Sequence, residues 1–166
     1  MQTQTTNNIY KHIFGRKLHN TMTLGDAIST LRKMGLINEG EAAEKAISKK
    51  SGVSQCRKNM PESDLVTGEQ IKHGLTNPDN RHANGERKLI AYISTKQHTS
   101  TILAVVTERF TGKEYYFIFP YASYKHHNGN TIGIPFEYNG TPKLSNRWWQ
   151  YNVETFNELC AKVNSK

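Results

Sequence analysis

Glu62-Ser63-Asp64-Leu65-Val66-Thr67-Gly68-Glu69-Gln70-Ile71-Lys72-His73-Gly74 is the stretch on which the reading of this chain turns. It predicts two short strands, Asp64 to Val66 and Glu69 to His73, closed by a Thr67-Gly68 turn. Successive side chains of a strand point to opposite faces, so Gln70 and Lys72 share one face and Glu69 takes the other. Asp64 is then set beside Gln70 and Lys72: an acid, an amide oxygen and an ammonium on neighbouring strands. Such a group can hold a divalent metal against a phosphate and place a water beside it.

The rest of the composition suits a phosphate-bearing partner. The 22 Lys+Arg against 14 Asp+Glu give a formal charge of +8, with a pI near 9.5, and a basic surplus of this kind fits a nucleic acid. At 166 residues the chain is expected to form a single domain with a proper core. Hydrophobic content is 36% and mean hydropathy −0.70, and no segment approaches the roughly 20 apolar residues of a membrane span. Residues 1–8 are polar and lack the apolar core of a signal peptide. Cys56 and Cys160 lie far apart without a CxxC, which indicates neither a zinc site nor a disulfide framework. The expectation is a cytoplasmic protein with no membrane association.

Working outward along the chain, an N-terminal segment 1–22 precedes a helix capped by Thr23, with Asp26 at its third position. Leu24, Ala27, Ile28, Leu31 and Met34 form its apolar stripe, which stops at Gly35. Asn38 caps a second helix, Glu39 to Lys50, with Ala43, Ala46 and Ile47 inward and Gly52 at its end. The early acids and the late Lys49-Lys50 suit the helix dipole. Residues 75–87 are polar and turn-rich. Lys88 to Thr95 and Ser100 to Phe110 read as strands, and the latter forms a hairpin with Tyr115 to Phe119 across Thr111-Gly112-Lys113. Residues 121–150 read as loops, and Val153 to Val163 as a closing helix. The fold class is α+β, with helices and core sheet in 23–120 and the closing helix in 151–166.

Glu44 on the helix before, Asp64 at a strand and Gln70-Ile71-Lys72 on the next resemble the PD-(D/E)xK nuclease core, over roughly residues 39 to 73. Ser63-Asp64 stands where that family has Pro-Asp, and Gln70 stands in place of its second acid. The resemblance implies a restriction-endonuclease-like central mixed sheet flanked by helices, of the restriction or homing endonuclease type. It implies a Mg²⁺-dependent endonuclease, with Mn²⁺ as a substitute, that hydrolyses double-stranded DNA at specific sequences. Asp64 would be the principal metal ligand, Gln70 the second, and the Ile71 carbonyl would complete that edge. Lys72 would orient the attacking water, and Glu44 would act behind the first ligands or on a second metal. Cutting both strands implies a homodimer or higher homo-oligomer.

Other readings of the same residues stay open. Asp64 suits a turn, Gln70 and Lys72 suit the solvent face of an edge strand, and Glu44 suits a helix surface. The helices 23–34 and 39–50 could form a non-catalytic helix-turn-helix, although Glu39, Glu41 and Glu44 crowd the end that would approach DNA. An RNA-binding or RNA-cleaving module is not separable by sequence. His126-His127 lacks the following helix of an HNH site, and His73 and His82 flank the proposed site without an assigned role. For DNA contact the candidates are Arg81, Arg87, Lys88, Asn80, Lys125 and Asn128, in or beside the polar loops 75–87 and 122–147.

Overall fold

The computed structural model describes residues 23–57, 63–79, 87–96 and 98–164. Two helices open this part, α1 (Leu24–Lys33) and α2 (Glu39–Ser51), both with the caps their sequences predict. Thr23 and Asp26 form a reciprocal capping box on α1, the Asn38 side chain accepts from Glu41 N–H on α2, and Gly52 ends α2 at φ +74°. Seven strands follow: β1 (Gln70–Leu75), β2 (Asn77–Asp79), β3 (Lys88–Ser94), β4 (Ile102–Thr107), β5 (Glu114–Phe119), β6 (Thr131–Glu137) and β7 (Asn152–Val153). A short helix α3 (Tyr121–Tyr124), a 3-10 turn (Arg147–Tyr151) and α4 (Phe156–Asn164) complete the elements.

The strands form two sheets. One is mixed, in the order β1-β4-β5-β7, with β1 parallel to β4 and the other pairs antiparallel. The other is antiparallel, in the order β2-β3-β6. Side-chain alternation sends each strand of the mixed sheet into two cores. Ile71, Leu103 and Val105 pack with Ile47 of α2 and with Leu159, Cys160 and Val163 of α4. Ile102, Ala104, Val106, Phe117 and Phe119 pack instead against Leu89, Ala91, Ile93, Ile132, Ile134 and Phe136 of the second sheet, with both tryptophans. The α+β class is therefore present, and among the described residues the mixed sheet carries α2 and α4 on one face and the second sheet on the other.

Several local expectations also change. Asp64 to Val66 is not a strand paired with the next: Leu65 makes one isolated bridge to Gln55, and the backbone N–H groups of Asp64 and Leu65 both converge on the Glu69 carbonyl. The Thr67-Gly68 turn is present, with Gly68 at φ +100°. The 121–150 stretch contains β6, which Gly133 and Pro135 disguise. Proline is tolerated there because β6 is the outer strand of its sheet. The Pro135 carbonyl accepts the Trp149 indole N–H at 2.9 Å. Val153 belongs to β7 rather than to the closing helix, Ala46 is exposed, and β2 lies within the polar 75–87 stretch. Among the described residues no helix is long and apolar enough to cross a membrane.

Helix α1 buries only Gly25 and Ala27 and is held mainly by polar contacts. Arg109, 6% exposed, donates to the Thr76 carbonyl (3.2 Å), to Asn77 Oδ1 (3.3 Å) and to Thr23 Oγ1 (3.3 Å), and it pairs with Asp26. Gly25 donates its N–H to the Arg109 carbonyl at 2.8 Å, and a Cβ at Gly25 would collide with Arg109. Burial pushes the Asp26 carboxyl up, but the Thr23 N–H and hydroxyl and the Arg109 guanidinium together hold it below its ordinary value. That contribution to stability is present above the unfolded aspartate value of 3.8 and is lost as pH falls through the lower native one. Arg109→Ala, which strands the Thr76 carbonyl, is expected to cost about 1–3 kcal/mol at pH 7. Denaturant unfolding at pH 7 and pH 3 should show the deficit narrowing in acid. An equal deficit at both would assign it to packing alone.

Candidate active site at the open edge of β1

Strand β1 is an outer strand of the mixed sheet, and this determines what the site can be. Gln70 donates its N–H to the Thr101 carbonyl at 2.9 Å, toward β4. One residue on, the backbone polar groups of Ile71 therefore face the open edge. There Asp64 Oδ2 accepts the Ile71 N–H at 2.6 Å. The loop that carries Asp64 is sewn to the chain after α2: Cys56 N–H donates to the Asp64 carbonyl at 2.9 Å and Val66 N–H to the Ser54 carbonyl at 3.1 Å. Leu65 is sealed in the helix-side core between these bonds.

Gln70 and Lys72 share a face, as their spacing predicts. Lys72 Nζ donates to Gln70 Oε1 at 2.9 Å and lies 3.8 Å from Asp64 Oδ2. Gln70 is buried, at 2% exposure, whereas the side chains of Lys72 and Asp64 keep 26% and 22% of their surface. Glu69 is buried apart from this group and takes the Thr67 hydroxyl. Glu44 arrives from α2 and accepts from Gln55 Nε2 at 3.3 Å. Burial raises its carboxyl above the ordinary value, the Asp64 charge raises it further, and Lys72 opposes both. Asp64, Gln70 and Lys72 are thus brought together at the β1 edge, with the Glu44 carboxyl in the fields of Asp64 and Lys72.

A cleft of about 580 Å³ opens beside this group, lined among others by Arg32, Glu39, Glu44, Lys72 and His73. Arg32 and Glu39 form a two-pronged ion pair, both contacts at 2.9 Å, across the α1–α2 turn. His73 faces the helices, with Nε2 2.8 Å from Thr107 Oγ1. Burial lowers its pKa, and Arg32 adds to that while Glu39 and Glu114 oppose it.

The candidate DNA contacts are divided. Asn80 and Arg81 lie outside the described residues, as does His82. Lys125 and Asn128 are exposed on the 125–130 loop, which meets the site end of the molecule through the Thr95 N–H, bonded to the Asn130 carbonyl at 2.8 Å. Arg87 and Lys88 sit at the opposite end of β3 from Ser94, about 20 Å away along the strand. His127 is used structurally: its Nε2 meets the Thr131 carbonyl at 2.9 Å and its Nδ1 meets Arg147 at 3.1 Å. One residue near the site escaped the sequence reading. His98 feels the charges of both Lys72 and Asp64, and nothing in its local sequence marks it.

Compared with protein-family models, curated proteins and solved structures, the chain matches none. The site must therefore be read from its own geometry. If Glu44 shares a field with Asp64 and Lys72, Asp64→Asn should lower the Glu44 pKa and Lys72→Met should raise it, as followed by carboxyl ¹³C NMR titration. A Glu44 titration unmoved by both changes would show that the two carboxylates act separately.

Proposed function

We propose that this chain is a metal-dependent endonuclease that hydrolyses phosphodiester bonds in double-stranded DNA at specific sequences, as a PD-(D/E)xK-like enzyme. The observation that carries the reading is the placement of Lys72 Nζ between Gln70 Oε1 and Asp64 Oδ2, with the Glu44 carboxyl in the same field. An ammonium there marks a place where oxygen donors from three segments already favour a cation. The donor set is all oxygen, which suits Mg²⁺ or Mn²⁺ rather than softer metals. Among the described residues no three His, Cys, Asp or Glu side chains gather into a metal-binding group, so the set depends on Gln70 and on the Ile71 carbonyl.

Asp64, Gln70 and the Ile71 carbonyl would hold the metal, with Glu44 behind them or on a second ion. A bound divalent ion would supply Lewis-acid stabilisation of the charge that builds on the phosphate. Lys72 would release Gln70 and turn toward the phosphate, where its three donors orient the attacking water and neutralise a non-bridging oxygen. Beside Asp64 it serves as a fixed cation rather than as a base. A helix-turn-helix reading is less well served, because α2 lies on the sheet with Ile47 fully buried and its Glu39 and Glu44 lining the cleft. Cutting both strands would require two copies of the chain, each working on one strand.

The test is Mg²⁺-dependent cleavage of a mixed-sequence DNA by wild type, Asp64→Ala and Lys72→Ala. Discrete fragments from wild type, reduced at least about a hundredfold in both variants with DNA binding retained, are expected. Gln70→Glu should tighten Mg²⁺ binding, read by calorimetry, because it adds the missing charge. Cleavage that survives both Asp64→Ala and Lys72→Ala would remove the reaction from this site.

A further inference from the structure

Resting on the nuclease reading, we propose that His98 is a catalytic residue of the same site, its imidazole donating Nε2–H to a non-bridging oxygen of the scissile phosphate. The loop that carries it is pinned on both sides. His98 N–H donates to the Thr95 carbonyl at 3.2 Å, the Thr95 N–H is held by the Asn130 carbonyl, and Ser100 offers its carbonyl to the Tyr124 hydroxyl. Thr101, the next residue, accepts the N–H of Gln70 itself. These bonds set the loop beside the Gln70–Lys72 end of β1, and the ring lies within the fields of Lys72 and Asp64.

The two ring nitrogens differ. Nδ1 is closed off from solvent and has no hydrogen-bond partner among the described residues, which leaves Nε2 as the nitrogen able to meet a ligand. A buried N–H without an acceptor is rarer than a buried lone pair without a donor, so the proton belongs on Nε2 and the lone pair on Nδ1. Burial lowers the pKa of the ring, and the Lys72 charge adds to that, against Asp64. What results is an N–H donor within the fields of a lysine and an acid. A phosphodiester suits it, since its two non-bridging oxygens can be shared between Lys72 and His98. Lys125 is exposed on the neighbouring 125–130 loop. His98 keeps its proton throughout: the water oxygen bonds to phosphorus, the bond to the leaving sugar oxygen breaks, and solvent takes and returns the protons.

Glutamine places its amide Nε2 as many bonds from Cα as the histidine Nε2, and asparagine does not. His98→Ala is therefore expected to lower kcat/KM about 10- to 100-fold, His98→Gln to recover most of it, and His98→Asn to recover little. If wild type cuts, Asp64→Ala does not, and His98→Ala matches wild type, or Gln rescues no better than Asn, the role of His98 is overturned and the Asp64–Lys72 site stands. If wild type cuts no DNA in any divalent metal, the nuclease reading itself falls, and this role with it.

Discussion

One backbone amide on the open edge of β1 holds the candidate site together. Among the described residues the Ile71 N–H has no strand to pair with, and an unmet amide there would either attract another strand or go unsatisfied. Asp64 answers it at 2.6 Å with a charged acceptor, a stronger bond than a neutral one. That bond draws the 63–69 loop against the edge, lets Leu65 fill the core and brings Gln55 back to Glu44. The acid that would hold a metal is also the piece that finishes the sheet.

The electrostatics explain why position 70 carries an amide. The Asp64 charge already raises the energy of the charged form of Glu44, and Lys72 relieves only part of this. Gln70 is far more buried than either acid. A third carboxylate at that depth would need a permanent counter-ion, because an unpaired buried charge is strongly unfavourable. The neutral amide gives Lys72 a partner without that demand. Were the site to hold a metal as proposed, the same choice would make its donor set a weaker ligand.

Much of this was legible because it is local. The caps at Thr23 and Asn38, the glycine ends of α1 and α2, the β4–β5 hairpin and the shared face of Gln70 and Lys72 each follow from a few neighbouring residues. The losses are long-range. β1 pairs in parallel with β4 only after the chain has gone through β2 and β3, and nothing in residues 76–101 announces that excursion. His98 reaches the site solely through that pairing, so its local sequence could not reveal it. The strand expected over Asp64 to Val66 failed because the Glu69 carbonyl takes two amides at once and curls the segment into a tight loop. The second sheet was hidden because β6 carries a glycine and a proline that an outer strand can bear.

Between β1 and β2 stands a single residue, Thr76, fully buried, so one nearly continuous run of chain serves both sheets. At Gly74, two residues earlier, a Cβ would come within 2.8 Å of Ile93 Cδ1, which shows how closely the sheets approach there. The usual independence of an outer strand is thereby removed. β1 cannot peel from β4 without dragging β2 from β3, and local opening of the edge becomes sub-global unfolding. In hydrogen-exchange terms, the amides of Gln70–Leu75 that point toward β4 belong with the slowest class of the chain. The edge that carries the candidate site is, for this reason, as rigid as the interior behind it.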